Sequence, residues 1–179
     1  IGVASVSQLA WWAGLSKREA KAAVAELGLV AFEGDELASA ETIDAIRSVA
    51  VPAEPQVRLT GSLDNLVHLR REVAPLVAVG VRDATVASGG FTSAPRGGAV
   101  STVLDLPHHG IVDRGRLIGV WDYDAEAETI AYRLWAEVPG AREAVEEATR
   151  FVRDDLGDAR SFSLDSPQTR GDRLAALRA

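Results

Sequence analysis

Residues 106–124 read LPHHGIVDRGRLIGVWDYD and predict a two-stranded antiparallel hairpin. Apolar and polar residues alternate on either side of Arg114-Gly115, the pattern of two half-buried strands joined by a tight turn. Further strands are predicted at 57–60, 100–104 and 129–136, and an amphipathic helix at 140–156. The second half of the chain is therefore predicted to be a mainly antiparallel, barrel-like β domain with C-terminal helices.

The first half predicts a winged helix-turn-helix unit. A serine at position 5 or 7 caps a first helix that ends at Gly14, and Ser16 with Glu19 forms a capping box for a second helix. A small hairpin over residues 29–38 and a third helix capped by Ser39 follow, which is the order of a winged helix.

Residues 50–56, AVPAEPQ, hold two prolines in seven positions and predict a linker. We therefore expect a winged-helix unit at 1–52 and the β-rich domain at 56–179, an α+β architecture. Within the second domain, residues 63–77 are predicted to be helical, residues 84–98 to form a long loop and residues 172–177 to form a short last helix.

Composition restricts the functional classes. The 179 residues include no cysteine, which excludes a disulfide framework, thiolate catalysis and a Cys-ligated zinc site, and favours a reducing, cytoplasmic location. No apolar run is long enough to span a bilayer, so no membrane partner is expected. The chain begins at Ile1 and has no methionine, so we expect it to be part of a longer protein.

The net charge of −7 argues against a protein that coats DNA. The acidic side chains are concentrated, however: residues 120–156 carry 10 acidic and 4 basic groups, whereas residues 56–119 carry 5 and 7. The charge pattern therefore permits binding to nucleic acid without requiring it.

Two groups of cations are candidate DNA contacts. Lys17, Arg18 and Lys21 lie at the start of the second helix, where a recognition helix touches phosphates or base edges. Arg114 and Arg116 lie at the tip of the hairpin and suit phosphate binding or minor-groove insertion. A solvated helix surface and a charged turn are the respective alternatives.

The tryptophans Trp11 and Trp12 precede the turn between the first two helices, and Trp12 is assigned to the apolar side of the first helix. A base-stacking role is possible for such residues, but we expect at least one of the two to fill the core.

Histidine is a common metal ligand, so the pair His108-His109 suggests a metal site. Side chains at neighbouring strand positions point to opposite faces, however, and cannot easily bind one ion together. We expect no metal, a structural role for one histidine and a DNA-facing role for the other, assigned to His109. Arg170, in the polar segment near the C-terminus, is a further candidate phosphate contact.

No complete active site is found in the sequence. Asp122 and Asp124 share a strand face where repulsion could raise one pKa, but no nucleophile or base accompanies them. A phosphate-binding glycine loop and the hydrolase and metalloprotease motifs are absent from the sequence, so no cofactor and no catalytic residue are predicted.

Four segments together resemble the AlkZ/YcaQ-like winged-helix DNA glycosylases. They are SVSQLAWWAGLSKREAKAAVAELG at 5–28, VRLTGSLDNL at 57–66, the hairpin at 106–124 and LGDARSFSLDSPQTR at 156–170. The resemblance implies tandem winged-helix units and a β-barrel that hold duplex DNA and excise alkylated or crosslinked bases without a metal.

In that family a Gln-x-Gln or Gln-x-Asp motif positions the hydrolytic water. None of the glutamines Gln8, Gln56 and Gln168 has Gln or Asp two residues later, so no catalytic residue is transferred to this chain. The resemblance therefore implies the C-terminal, DNA-binding portion of a glycosylase-like protein, which binds double-stranded DNA but does not excise bases by itself.

The alternative is a non-catalytic winged-helix interaction, small-molecule sensor or transcription-regulator module, which the net charge of −7 favours. A pocket lined by Trp121, Tyr123, Tyr132 and Trp135 would support that alternative.

Overall fold

The computed structural model describes residues 2–62, 64–65, 72–86, 98–103, 106–157 and 167–178. The chain divides into two compact units, of which the first holds Ile1–Val51 and the second starts at Pro52. Both units combine helices with antiparallel strands, which confirms the α+β class. Within these ranges every helix is too short or too polar to cross a membrane.

The first unit contains three helices and three short strands in its described residues. In chain order these are β1 Ala4–Ser5, α1 Val6–Ala13, α2 Lys17–Glu26, β2 Val30–Ala31, β3 Glu36–Ala38 and α3 Ala40–Ser48. The strands pair antiparallel in the order β1-β3-β2. The core of this unit is small, with Val3, Ala38 and Ile43 buried and Phe32 packed against them.

Serine caps fix where α1 and α2 begin. The Gln8 N–H donates to Ser5 Oγ at 3.2 Å, and the Ser5 N–H donates to Gln8 Oε1 at 2.9 Å. Ser16 and Glu19 form the same reciprocal pair, with bonds of 2.8 and 3.3 Å, which confirms the predicted capping box. Between the two helices, Gly14 ends α1 in the left-handed conformation at φ 66°.

The second unit is built on an antiparallel sheet of four strands, which lie in the order β4 Val57–Thr60, β7 His109–Asp113, β8 Arg116–Asp124 and β9 Thr129–Leu134. A separate two-stranded ladder joins β5 Thr85–Val86 to β6 Gly98–Ala99. The predicted hairpin is present as β7 and β8. Arg114 and Gly115 both have positive φ, 47° and 77°, as a type I′ turn requires.

Both faces of the four-stranded sheet are covered, so β8 is buried from Leu117 to Asp124. One face packs against α4, Ala141–Phe151, and the π-helical turn Val152–Leu156 that continues it. The other face packs against short 3-10 turns and the last helix, α5, Pro167–Arg178. The sheet is therefore the middle layer of the second unit.

The predicted barrel-like closure is not found in the described part of the chain. There, β4 and β9 are the edges of an open sheet and each pairs with a single neighbour. Because α4 and α5 cover opposite faces, the apolar side chains of the sheet are buried without closure.

Three local predictions in the second unit need correction. Of the predicted helix at 63–77, Asn65 is helical, and residues 63 and 66–71 lie outside the described residues. The C-terminal end forms the 3-10 turn Ala74–Leu76 instead, because Pro75 lacks the N–H that a continuing helix needs. The predicted strand at 100–104 begins as the 3-10 turn Val100–Thr102, held by the Thr102 hydroxyl donating to Ala99 O at 2.7 Å. The ends of the predicted loop at 84–98 pair as β5 and β6, and its interior, 87–97, lies outside the described residues.

A buried network of three side chains joins α5 to β8. Asp122 accepts from Arg173 at Oδ1 and from His108 Nδ1 at Oδ2, the latter at 2.6 Å. An ionised carboxylate only accepts, so Nδ1 of His108 carries its proton. All three residues are buried, so the Asp122–Arg173 ion pair lies where solvent is excluded.

A second pair lies nearer the surface. Arg178 Nη2 donates to Asp124 Oδ2 at 2.5 Å, while Asp124 Oδ1 accepts from the backbone N–H groups of Glu126 and Ala127 at 3.1 and 3.2 Å. The hydrogen bond from Arg178 is the main cause that holds the pKa of Asp124 below its ordinary value of 3.8. The two strand carboxylates are thus each paired with an arginine of α5, and the pKa of Asp124 is lowered rather than raised.

Arg173→Met is expected to destabilise the protein by about 3–5 kcal/mol, because it leaves the Asp122 carboxylate buried without its guanidinium partner. Equilibrium urea unfolding followed by circular dichroism measures the change. The control is Asp172→Asn, an exposed neighbour on the same helix, which should change stability by less than about 0.5 kcal/mol. Equal unfolding curves for the two variants would show that the buried pair contributes nothing.

The Asp124–Arg178 pair predicts a dependence of stability on pH. A carboxyl group whose pKa is lowered by folding stabilises the protein at pH values above its ordinary pKa, 3.8. This contribution is lost as the pH falls through the lowered pKa. Asp124→Asn should therefore cost about 1–2 kcal/mol at neutral pH, and the difference from the wild type should shrink in melts below the ordinary pKa. Glu126→Gln, exposed in the same turn, is the control; a difference that persists unchanged in acid would contradict the assignment.

Candidate nucleic-acid interface

The corner between α1 and α2 is a tight turn that leaves large side chains at the surface. The Leu15 N–H donates to Ala10 O at 2.8 Å, which closes the end of α1. Gln8 and Ala10 are the residues of α1 that are buried, whereas Trp11 is 41% and Trp12 is 49% exposed. The prediction that at least one tryptophan fills the core is wrong, because the small core of this unit accepts short side chains at the inward positions of α1.

The first turn and a half of α2 carry the cations Lys17, Arg18 and Lys21, and all three are exposed. None of them makes a hydrogen bond or ion pair with any residue that the structure describes. The acidic neighbour Glu19 is instead bonded to Ser16, and this bond lowers the pKa of Glu19. The helix therefore presents three cations that the described fold does not use.

The arginines at the hairpin tip are placed differently. Arg114 donates to Asp113 Oδ2 at 2.9 Å and to the carbonyl oxygens of Pro52 and Ala53 at 3.3 and 3.0 Å. Asp113 in turn accepts from the Gln56 N–H at 2.6 Å. Burial raises the pKa of Asp113, but the bonds from Arg114 and Gln56 outweigh burial and hold that pKa below its ordinary value.

Arg116 also has an intramolecular partner, since its Nη1 donates to Pro75 O at 2.8 Å. Both tip arginines thus tie the hairpin to neighbouring segments of the second unit. They remain exposed, but part of their donor capacity is taken by backbone carbonyls, in contrast to the cations of α2.

His109 is buried rather than surface-exposed, with 6% of its surface accessible. Its Nδ1 accepts from the Ser62 N–H at 2.8 Å, and its ring lies 4.4 Å, centroid to centroid, from that of Trp121. A backbone N–H can only donate, so Nδ1 of His109 is unprotonated and the ring is neutral. Nδ1 therefore donates in His108 and accepts in the neighbouring His109.

Arg170 lies near the start of α5 and lines an open cavity of about 740 Å³ between that helix and the turn after β8. Asp124, Glu126 and Arg178 also line it. Two guanidinium groups are balanced there by two carboxylates, so the cavity carries no formal excess of positive charge.

The four aromatic residues that would favour a sensor module do not line a common pocket. Trp121 and Tyr123 are buried in the cluster under α4, with Tyr132 packed against it, whereas Trp135 packs in the cluster on the opposite face of the sheet. The aromatic side chains are therefore part of two cores, and the sensor alternative loses the observation that would have supported it.

The structure brings Lys17, Arg18 and Lys21 together on one helix, beside two exposed tryptophans, and places Arg114, Arg116 and Arg170 at separate positions in the second unit. Sequence reasoning missed the exposure of the tryptophan pair. Two tryptophans so close to the glycine that ends α1 indicate that both cannot face the core of so short a helix, but nothing in the sequence indicates that both are exposed.

One comparison with known proteins gives a match. The family model described as DNA glycosylase AlkZ-like matches residues 1–153 of the chain. No curated protein and no solved structure matches it significantly.

Proposed function

We propose that this chain, which belongs to the AlkZ-like DNA glycosylase family, is a DNA-binding portion of a glycosylase-like repair protein and that α2 is its main contact with duplex DNA. The family connects the chain with DNA repair. The observation that carries the assignment to α2 is the set of three exposed cations, Lys17, Arg18 and Lys21, without a partner among the described residues.

The topology of the first unit supports this proposal. A helix pair is followed by the antiparallel β2–β3 pair, and β1 adds to the same sheet. This is the order of a winged helix, in which the second helix of the pair enters the major groove and the hairpin forms the wing. In that arrangement α2 is the recognition helix, and its N-terminal residues are the ones that reach phosphates and base edges.

The charge of the first unit is compatible with such a contact despite being negative. Residues 1–55 carry 4 basic and 8 acidic groups, and three of the four basic residues lie within positions 17–21. Surface charges beyond about 8 Å are largely screened at physiological salt, so the local cluster determines attraction to a phosphate. Binding of moderate affinity is expected, with few phosphates neutralised.

The other candidate residues have weaker support as DNA contacts. Arg114 and Arg116 are bonded to carbonyl oxygens of their own unit, and Arg170 shares its cavity with carboxylates. His109 is buried and neutral, so we exclude it from the proposed interface. No catalytic residue is assigned, and the chain is proposed to bind DNA without excising a base.

Lys17→Ala and Arg18→Ala should each weaken binding to labelled duplex DNA of any sequence. Each lost phosphate contact lowers the slope of log K against log salt by about 0.9. Fluorescence anisotropy titrations at several salt concentrations measure both the affinity and the slope, for intact duplex and for duplex with an alkylated purine.

The matched control is Arg47→Ala, which removes an exposed cation from α3 in the same unit and should leave the slope unchanged. Unchanged slopes for both α2 variants would remove α2 from the interface. Arg114→Ala and Arg116→Ala belong in the same series, since wild-type binding by both would assign the hairpin tip a structural role.

A further inference from the structure

We propose that the corner between α1 and α2 binds unpaired DNA bases, with Trp12 as the stacking platform. This inference rests on the proposed DNA binding and deepens it, because it names the DNA structure that the chain prefers: duplex interrupted by a gap or an unpaired nucleotide. The site consists of Trp11, Trp12 and Leu15 at the corner, with Lys17 and Arg18 at the start of α2.

The first argument is the exposure of the corner. Trp11, Trp12 and Leu15 are 41, 49 and 38% exposed within five successive positions. The indole N–H of Trp12 has no hydrogen-bond partner among the described residues. An indole is one of the largest apolar surfaces that a side chain can bury, so its exposure here leaves a stacking surface available to a ligand.

The second argument is the rigidity of the corner. Gly14 in the left-handed conformation, the Leu15–Ala10 backbone bond and the Ser16 capping box fix the turn on both sides. A platform on a fixed turn loses little conformational freedom when a ligand binds, which favours affinity.

The third argument is charge. Lys17 follows Trp12 by five residues, so their Cα atoms are at most about 18 Å apart, which is roughly five stacked nucleotides at 3.4 Å per step. Phosphates within about five nucleotides of a stacked base are therefore within reach of Lys17 and Arg18, which have no partner among the described residues. Exposed aromatic surface beside cations is the combination that binds single-stranded nucleic acid.

This combination selects unpaired bases over intact duplex. In a duplex both faces of a base are covered by its neighbours, and exposing one costs a few kcal/mol, whereas a base beside a gap or a mismatch is exposed at much lower cost. The cations of α2 attract either form of DNA. The tryptophan therefore contributes the preference, and α2 contributes the affinity that both forms share.

Trp12→Ala in the full chain tests the inference by anisotropy, with gapped and intact duplex of the same sequence as probes. The substitution should weaken binding to the gapped probe by about five- to a hundredfold, the effect of losing one stacked base, and should change binding to the intact duplex by less than about twofold. Trp12→Phe keeps an aromatic face and should retain most of the preference for the gapped probe. Leu27→Ala, an exposed apolar residue at the other end of α2, is the control and should change neither.

A second readout is the quenching of tryptophan fluorescence in the wild type, which should be larger with gapped than with intact duplex and smaller in Trp12→Phe. Equal binding of the two probes by the wild type, or an unchanged preference in Trp12→Ala, would overturn the inference while leaving the proposed function standing. Absence of binding to either probe at low salt would overturn both. Loss of binding to both probes in a folded Trp12→Ala variant would assign the tryptophan a structural role instead.

Discussion

The second unit depends on the neutralisation of two carboxylates on a strand that is buried on both faces. Asp122 and Asp124 lie on β8, between α4 on one side and α5 on the other. An isolated buried carboxylate destabilises the folded state by several kcal/mol, and a positively charged partner must stay in place to offset that cost. The partners are Arg173 and Arg178, which lie five residues apart on α5. The position of the last helix is thus fixed by charge as well as by Leu174 and Leu177, the apolar residues that it buries.

The two units differ in whether their charged side chains are paired within the unit. In the second unit Asp113, Arg114 and Arg116 are bonded within the unit, and the hairpin tip is an anchored turn rather than a free one. In the first unit the small core needs no buried charge, and α2 carries cations that no described residue neutralises. Intramolecular pairing therefore occupies the cations of the hairpin tip, whereas the cations of α2 stay available for the proposed contact with DNA.

What the sequence predicted correctly was local, and what it missed was not. The capping box at Ser16, strand β4 and the hairpin at Arg114-Gly115 are set by residues a few positions apart, and their patterns are visible in the chain. The arginine partners of Asp122 and Asp124 lie more than fifty residues away, and no periodicity links them. The open sheet was missed for a similar reason, since strand spacing alone does not reveal that helices cover both faces.

The tryptophan pair shows why hydrophobicity was a poor guide at the α1–α2 corner. A pattern that assigns Trp12 to an apolar helix side assumes a core large enough to accept it, and a core whose buried apolar residues are alanines, one valine and one isoleucine is not. Burial of an indole would have stabilised the unit by a few kcal/mol, but α1 turns Gln8 and Ala10 inward instead. For a chain of net charge −7, long-range attraction to DNA is weak and screened. Short-range stacking beside a local cation cluster is therefore the interaction that we propose discriminates one DNA structure from another.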